Sequence, residues 1–233
     1  MTTTTTTPDA IRPLTNSTNP SDTTGARLAA AAGVAFVVLS VGSTLSAGSP
    51  PAVNASAAKV AAYFHGHSGG IRAQMLVGGL GVALLIWWFG TLWRMLSRAE
   101  RDQPRLAIVA AVALAIGGTL ALLNGIVIST AALRQGDAEL TRLLYTLSIV
   151  VIAAAGFGIG TSVFATCVVT YRARITSPWI SVLGFAAALA FLGSTIGTVT
   201  DRSGTVALGL VAFVLWCVWI LAVSVTMWRS ANA

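Results

Sequence analysis

Long uninterrupted apolar runs, broken by short polar or charged stretches, dominate the chain. They cover Leu28–Ala47, Ile71–Leu96, Leu106–Leu133, Leu143–Tyr171, Trp179–Val199 and Thr205–Trp228. A helix needs roughly 20 apolar residues to cross the hydrocarbon core of a bilayer, and each run reaches that length. Charged side chains stay at the margins of the runs, as Arg94 does. The strict polarity alternation of barrel strands is missing. Backbone groups in lipid must also be satisfied within their own segment, which leaves helices. The pattern therefore predicts an all-α fold: a polytopic membrane bundle of six transmembrane helices. Connections after the first are about four to ten residues, so successive helices are expected to pack as antiparallel neighbours.

One stretch fits neither a span nor a plain linker: "PPAVNASAAKVAAYFHGHSGG", Pro50–Gly70. Ser56 is placed to cap a short helix over 57–64, which Gly66, Gly69 and Gly70 are expected to end. Val60 and Phe64 would give that helix an apolar face. It is too short to stand alone, so it is expected to lie at the membrane interface or cap the bundle, with Tyr63 and Phe64 at headgroup level. His65 and His67 follow; they point apart on a continuing helix and converge only in extended chain beyond Gly66. A zinc or copper ion needs further ligands, and Asp137, Glu139 and Asp201 stand at no diagnostic spacing. No metal and no cofactor is therefore expected, and a solvated histidine pair is the plain reading. Tyr63, Phe64, His65 and His67 form a candidate ligand or partner interface, together with Asn124, the most polar group deep in a span. Two later boundaries are marked as well, by Asp137 as an N-cap with Glu139 in the first turn, and by Ser177 before Pro178.

Composition agrees with the pattern. Of 233 residues, 55% are hydrophobic and only 9% charged, where soluble domains carry about 25% charged residues. The formal charge of +7 raises the question of nucleic acid, but its placement points elsewhere. Nine of the 14 basic residues fall in the N-terminal tail, the second and fourth loops and the C-terminus. By the positive-inside rule both termini are expected in the cytoplasm. Trp93, Tyr171, Trp179 and Trp228 lie at the same ends, where an interfacial belt belongs. In "RMLSRAERDQPR" a helix would align Arg94, Arg98 and Arg101; with Arg105 they suit anionic lipid headgroups or a stop-transfer signal partly neutralised by Glu100 and Asp102. The partners this implies are the lipid bilayer, anionic lipids, and a second copy or a membrane partner protein, with no nucleic acid.

Residues 1–25 are threonine-rich and are expected to form a disordered cytoplasmic tail. The membrane domain is expected over 26–229, followed by a short tail at 230–233. A signal peptide is the alternative for the first run, although its flank and apolar core are both long for one. Gly156 with Gly160, and Gly193 with Gly197, are spaced for close helix packing. Cys167 and Cys217 lie within spans and imply no disulfide framework. No ionisable group sits at mid-depth, which disfavours ion-coupled transport. No hydrolase or protease motif is present.

The loop "PPAVNASAAKVAAYFHGHSGGIRAQ", the segment "AELTRLLYTLSIVVIAAAGFGIGTSVFATCVV", "RITSPWISVLGFAAALAFL" and the closing "LWCVWILAVSVTMW" resemble a family of multi-helix integral membrane proteins of actinobacteria, a domain of unknown function. The resemblance spans most of 27–229. It implies an actinobacterial inner membrane and supplies no reaction, cofactor or catalytic residue. Lys59 stands where relatives carry an acid, and Gly156 where many carry a proline that would kink the fourth span. The function expected is that of a non-enzymatic bundle binding a lipid, a small molecule or a partner. The alternatives are a transporter or exporter of a lipid or hydrophobic compound, and a metal-dependent membrane enzyme using the HGH loop.

Overall fold

The computed structural model describes residues 20–46, 48–101, 103–134, 136–199 and 205–231. They form α1 (Pro20–Ser46), α2 (Ala57–Glu100), α3 (Arg105–Leu133), α4 (Ala138–Arg172), α5 (Pro178–Val199) and α6 (Thr205–Ser230). All six are long and apolar enough to cross a bilayer. The chain is a multi-pass membrane protein. Helix α1 starts at Pro20, inside the stretch expected to be tail; proline is tolerated at a first helical position because its missing N–H has no intrahelical role there. The rest of that tail lies outside the described residues.

Each helix packs on the next, α1 closes on α6, and α2 also touches α4. The result is a ring of antiparallel neighbours. The α1–α2 and α3–α4 connections lie at one end, the cap end, where α5 also ends and α6 begins. The α2–α3 and α4–α5 turns lie at the other, the arginine end.

The separate short helix expected over 57–64 does not form. Ser56 does cap, its side chain accepting from the Lys59 N–H at 3.4 Å, but the helix runs on through Gly66, Gly69 and Gly70 to Glu100. Three glycines weaken a helix by about 1 kcal/mol each relative to alanine, which is too little to break one that is packed. Val60, Phe64 and Ile71, spaced by four and seven, keep one buried stripe across them. A continuous apolar stripe outweighs the glycine signal. At 44 residues and 1.5 Å per residue, α2 is about 66 Å long, twice the hydrocarbon thickness.

Small residues set the helix spacing. On α4, Gly158 faces α3: a Cβ there would lie 2.5 Å from Gly117 N and 2.7 Å from the Ala113 carbonyl oxygen. Gly156 and Gly160 face α5 instead, against Thr195, Phe191 and Ala188. One "GFGIG" string thus serves two partners. A Cβ at Gly33 of α1 would run into Ser224 Oγ of α6 and the Trp88 indole of α2, where Trp88 Nε1 donates to Ser224 Oγ at 2.9 Å. Gly184 of α5 makes room in the same way for Cys167 and Trp219. Inside the ring, Trp88 meets Trp219 edge-on at 6.0 Å. Trp216 meets Phe36 and Phe191 at 5.4 and 5.9 Å.

Gly158→Leu and Gly33→Leu should each destabilise the bundle by about 3 kcal/mol or more, since backbone and a buried hydrogen bond stand in the way. Gly66→Ala meets nothing within 4 Å and should stabilise α2 by up to about 1 kcal/mol. Thermal unfolding in detergent measures all three.

Candidate binding surfaces

At the cap end, α2, α3 and α4 share a small core of their own. Ala55, Val60, Phe64 and Ile71 pack on Ala131, Ala132 and Tyr145. The Tyr145 hydroxyl donates to the Pro51 carbonyl at 2.6 Å, and its ring meets Phe64 edge-on at 6.0 Å. The double-proline segment is thereby tied down onto α4. The α3–α4 turn is locked by the buried Thr141 hydroxyl, which lies 3.0 Å from the Arg134 carbonyl and 2.7 Å from that of Asp137. Asp137 caps α4 as expected, accepting from the Leu140 N–H at 3.1 Å.

This packing divides the expected interface residues. Phe64 is fully buried at 0% exposure, so its ring holds the cap together and is not offered to a partner. Tyr63 is half-buried, and His65 and His67 are exposed. The His67 ring stacks on Tyr63 at 4.7 Å, and its Nδ1 lies 3.0 Å from the Tyr63 carbonyl oxygen. A carbonyl only accepts, so Nδ1 carries the hydrogen. On its other side stands Gly48, whose φ is +68° and whose added Cβ would lie 3.1 Å from His67 Nε2. The left-handed conformation calls for glycine there.

His65 and His67 do not converge. Helix α2 is continuous through both, and residues two apart are turned by about 200° around the axis. Among the described residues no group of three or more His, Cys, Asp or Glu could hold a metal ion; Asp201 lies outside them. Asn124 is half-buried on α3, one turn deeper than Ile128, which packs on the cap core. It is not part of the surface that Tyr63 and His67 form.

At the arginine end, Arg94, Arg98, Arg101 and Arg105 are all exposed. The expected row breaks at its last member: Arg101 is the C-cap of α2, with φ 56°, and leaves the helical register. The Arg94 guanidinium lies beside Gly25 of α1. Glu100 has a task that its place among arginines does not reveal. Its two carboxylate oxygens accept from Leu106 N–H at 3.1 Å and Ala107 N–H at 2.7 Å. It thus caps α3 from the end of α2, where a carboxylate also meets the favourable end of the helix dipole. Asp102 lies outside the described residues. Between this turn and the end of α4 is a cleft of about 320 Å³, lined by Glu100, Gln103, Leu106, Val169, Arg172 and neighbouring alanines. Exposed Trp93, Tyr171, Trp179 and Trp228 surround this end.

The bundle interior is different. The space among Leu85, Trp88, Phe89, Leu114, Val163, Trp216 and Trp219 amounts to about 10 Å³, at the lower limit for a single water. The chain matches no family model, no curated protein and no solved structure.

Tyr145→Phe should cost the cap about 1 kcal/mol, one hydrogen bond left unmade at Pro51. Phe64→Ala should cost about 3–5 kcal/mol through cavity formation, while His65→Ala should leave stability unchanged. Hydrogen exchange of the α2 and α4 amides near the cap reads these effects locally.

Proposed function

We propose that the protein is a non-enzymatic, lipid-binding bundle whose closed interior carries no substrate and whose arginine end grips anionic headgroups. The observation that carries this reading is the water-sized space at the bundle centre, filled by Trp88, Trp216 and Trp219. A conduit or exporter needs a path through the ring, and close glycine contacts between helices oppose opening one. Basic side chains near an anionic leaflet contribute about 1 kcal/mol each, and Arg98, Arg101 and Arg105 are exposed together at one end. The loop-charge bias supports placing that end, with both termini, in the cytoplasm. The resemblance noted above supports an actinobacterial host.

A second reading concerns the cap. The three-helix projection has its own core and presents the stacked Tyr63 and His67 on a fixed frame, with His65 on the other side of α2. A rigid surface of this kind suits recognition of a partner outside the membrane, since little ordering entropy is lost on binding.

Proteoliposomes should move fluorescent phospholipid between leaflets no faster than empty vesicles; faster movement would contradict the closed-bundle reading. The Arg98→Gln, Arg101→Gln, Arg105→Gln triple variant should retain phosphatidylglycerol roughly 100-fold less well, about 1 kcal/mol per arginine. Native mass spectrometry of protein released from nanodiscs measures the retention.

A further inference from the structure

The cleft at the arginine end carries two opposite charges that do not meet. Glu100 stands on the α2–α3 turn and Arg172 on the last turn of α4, and both line the same space. Among the described residues neither has an ion-pair partner. Glu100 is fixed by its two bonds to the α3 backbone, yet a carboxylate has about four acceptor positions, so each oxygen keeps one for a further donor. Arg172 presents planar donors suited to a phosphate. The Gln103 amide adds a neutral donor and acceptor. Leu106 and Val169 supply an apolar wall, and the neighbouring Tyr171 is exposed at the interfacial belt.

We propose that this cleft binds one ethanolamine phosphodiester headgroup, its ammonium at Glu100 and its phosphate at Arg172. The volume of about 320 Å³ lies at the small end of ligand sites, enough for a headgroup. A guanidinium without a carboxylate would select any anionic lipid. The carboxylate requires a cation beside the phosphate, and one that donates hydrogen bonds. A primary ammonium does so; the trimethylated ammonium of choline does not. The apolar wall and the interfacial position favour a membrane lipid as the source of this headgroup. The inference rests on the lipid-binding reading above and adds a second, chemically distinct site to it.

The test uses full-length protein in nanodiscs of phosphatidylcholine doped with phosphatidylethanolamine or with phosphatidylglycerol, read by native mass spectrometry. Phosphatidylethanolamine should be retained over phosphatidylcholine. Glu100→Gln and Arg172→Gln should each lower that retention about tenfold or more, the loss of one charge-assisted hydrogen bond. The triple variant of Arg98, Arg101 and Arg105 should leave it unchanged. Because Glu100 also caps α3, Arg172→Gln is the deciding variant if Glu100→Gln does not insert. Equal retention of phosphatidylethanolamine and phosphatidylcholine, or retention untouched by Arg172→Gln, overturns the site. Phosphatidylglycerol retention lost only in the triple variant would then show that the broader lipid-binding reading survives; no retention of either lipid overturns both. Soluble glycerophosphorylethanolamine, the same phosphodiester without acyl chains, separates the sources as competitor: displacement supports the free compound as a ligand, and its failure supports the lipid.

Discussion

In hydrocarbon an unpaired backbone N–H or C=O has no water to turn to, and this constraint governs the molecule. It makes every crossing a helix, and it makes each helix hard to interrupt once begun. Helix α2 carries this continuity past the hydrocarbon, where packing rather than lipid sustains it. Three glycines and a histidine pair, a reasonable stopping place, lie inside a helix that continues from Ala57 to Glu100. The stripe of Val60, Phe64 and Ile71 gives that continuation something to pack on. Because the helix does not stop, the cap is rigidly joined to the membrane bundle rather than resting on it.

Lipid also removes the usual force between helices, since a leucine gains little by leaving acyl chains for another leucine. Close van der Waals contact and a few hydrogen bonds remain. The chain supplies the first with glycine at the crossings: Gly117 with Gly158, Gly33 beneath Trp88, and Gly184 beside Trp219. It supplies the second with Trp88 to Ser224 and with Thr195, whose hydroxyl donates to the Ala153 carbonyl of α4 at 2.8 Å. Indoles then fill the space that the glycines leave. The charged side chains gather at the two ends of the bundle, and on the reading proposed above recognition falls to those ends.

Much of this is legible in the residues themselves. Six apolar runs, Asp137 as a cap, Pro178 at a helix start and the small-residue spacing of Gly156 and Gly160 are local signals, and local signals survive in the fold. The apparent helix stop at Gly66–Gly70 misleads because glycine propensity is weak beside a buried stripe whose partners, on α3 and α4, are distant in sequence. Tyr145 is visible only as the tyrosine opening the fourth span; its bond to Pro51 joins residues 94 apart. Glu100 resembles a counter-ion for arginines, and only the turn geometry shows it bonded to the α3 backbone. Phe64 resembles an interface residue because burial against a distant ring cannot be inferred from an apolar position in a loop. Arg172 carries no signal beyond its place at a helix end.

The unbroken course of α2 is the claim on which the cap and its rigidity depend. It is tested most directly by the distance between spin labels at Ala62→Cys and Ala83→Cys, both on exposed positions of α2, after replacing the buried Cys167 and Cys217 with alanine. A continuous helix places these positions about 32 Å apart with a narrow distribution. A helix that turned at the glycines to lie along the membrane would give about 23–26 Å, and that result would contradict the account.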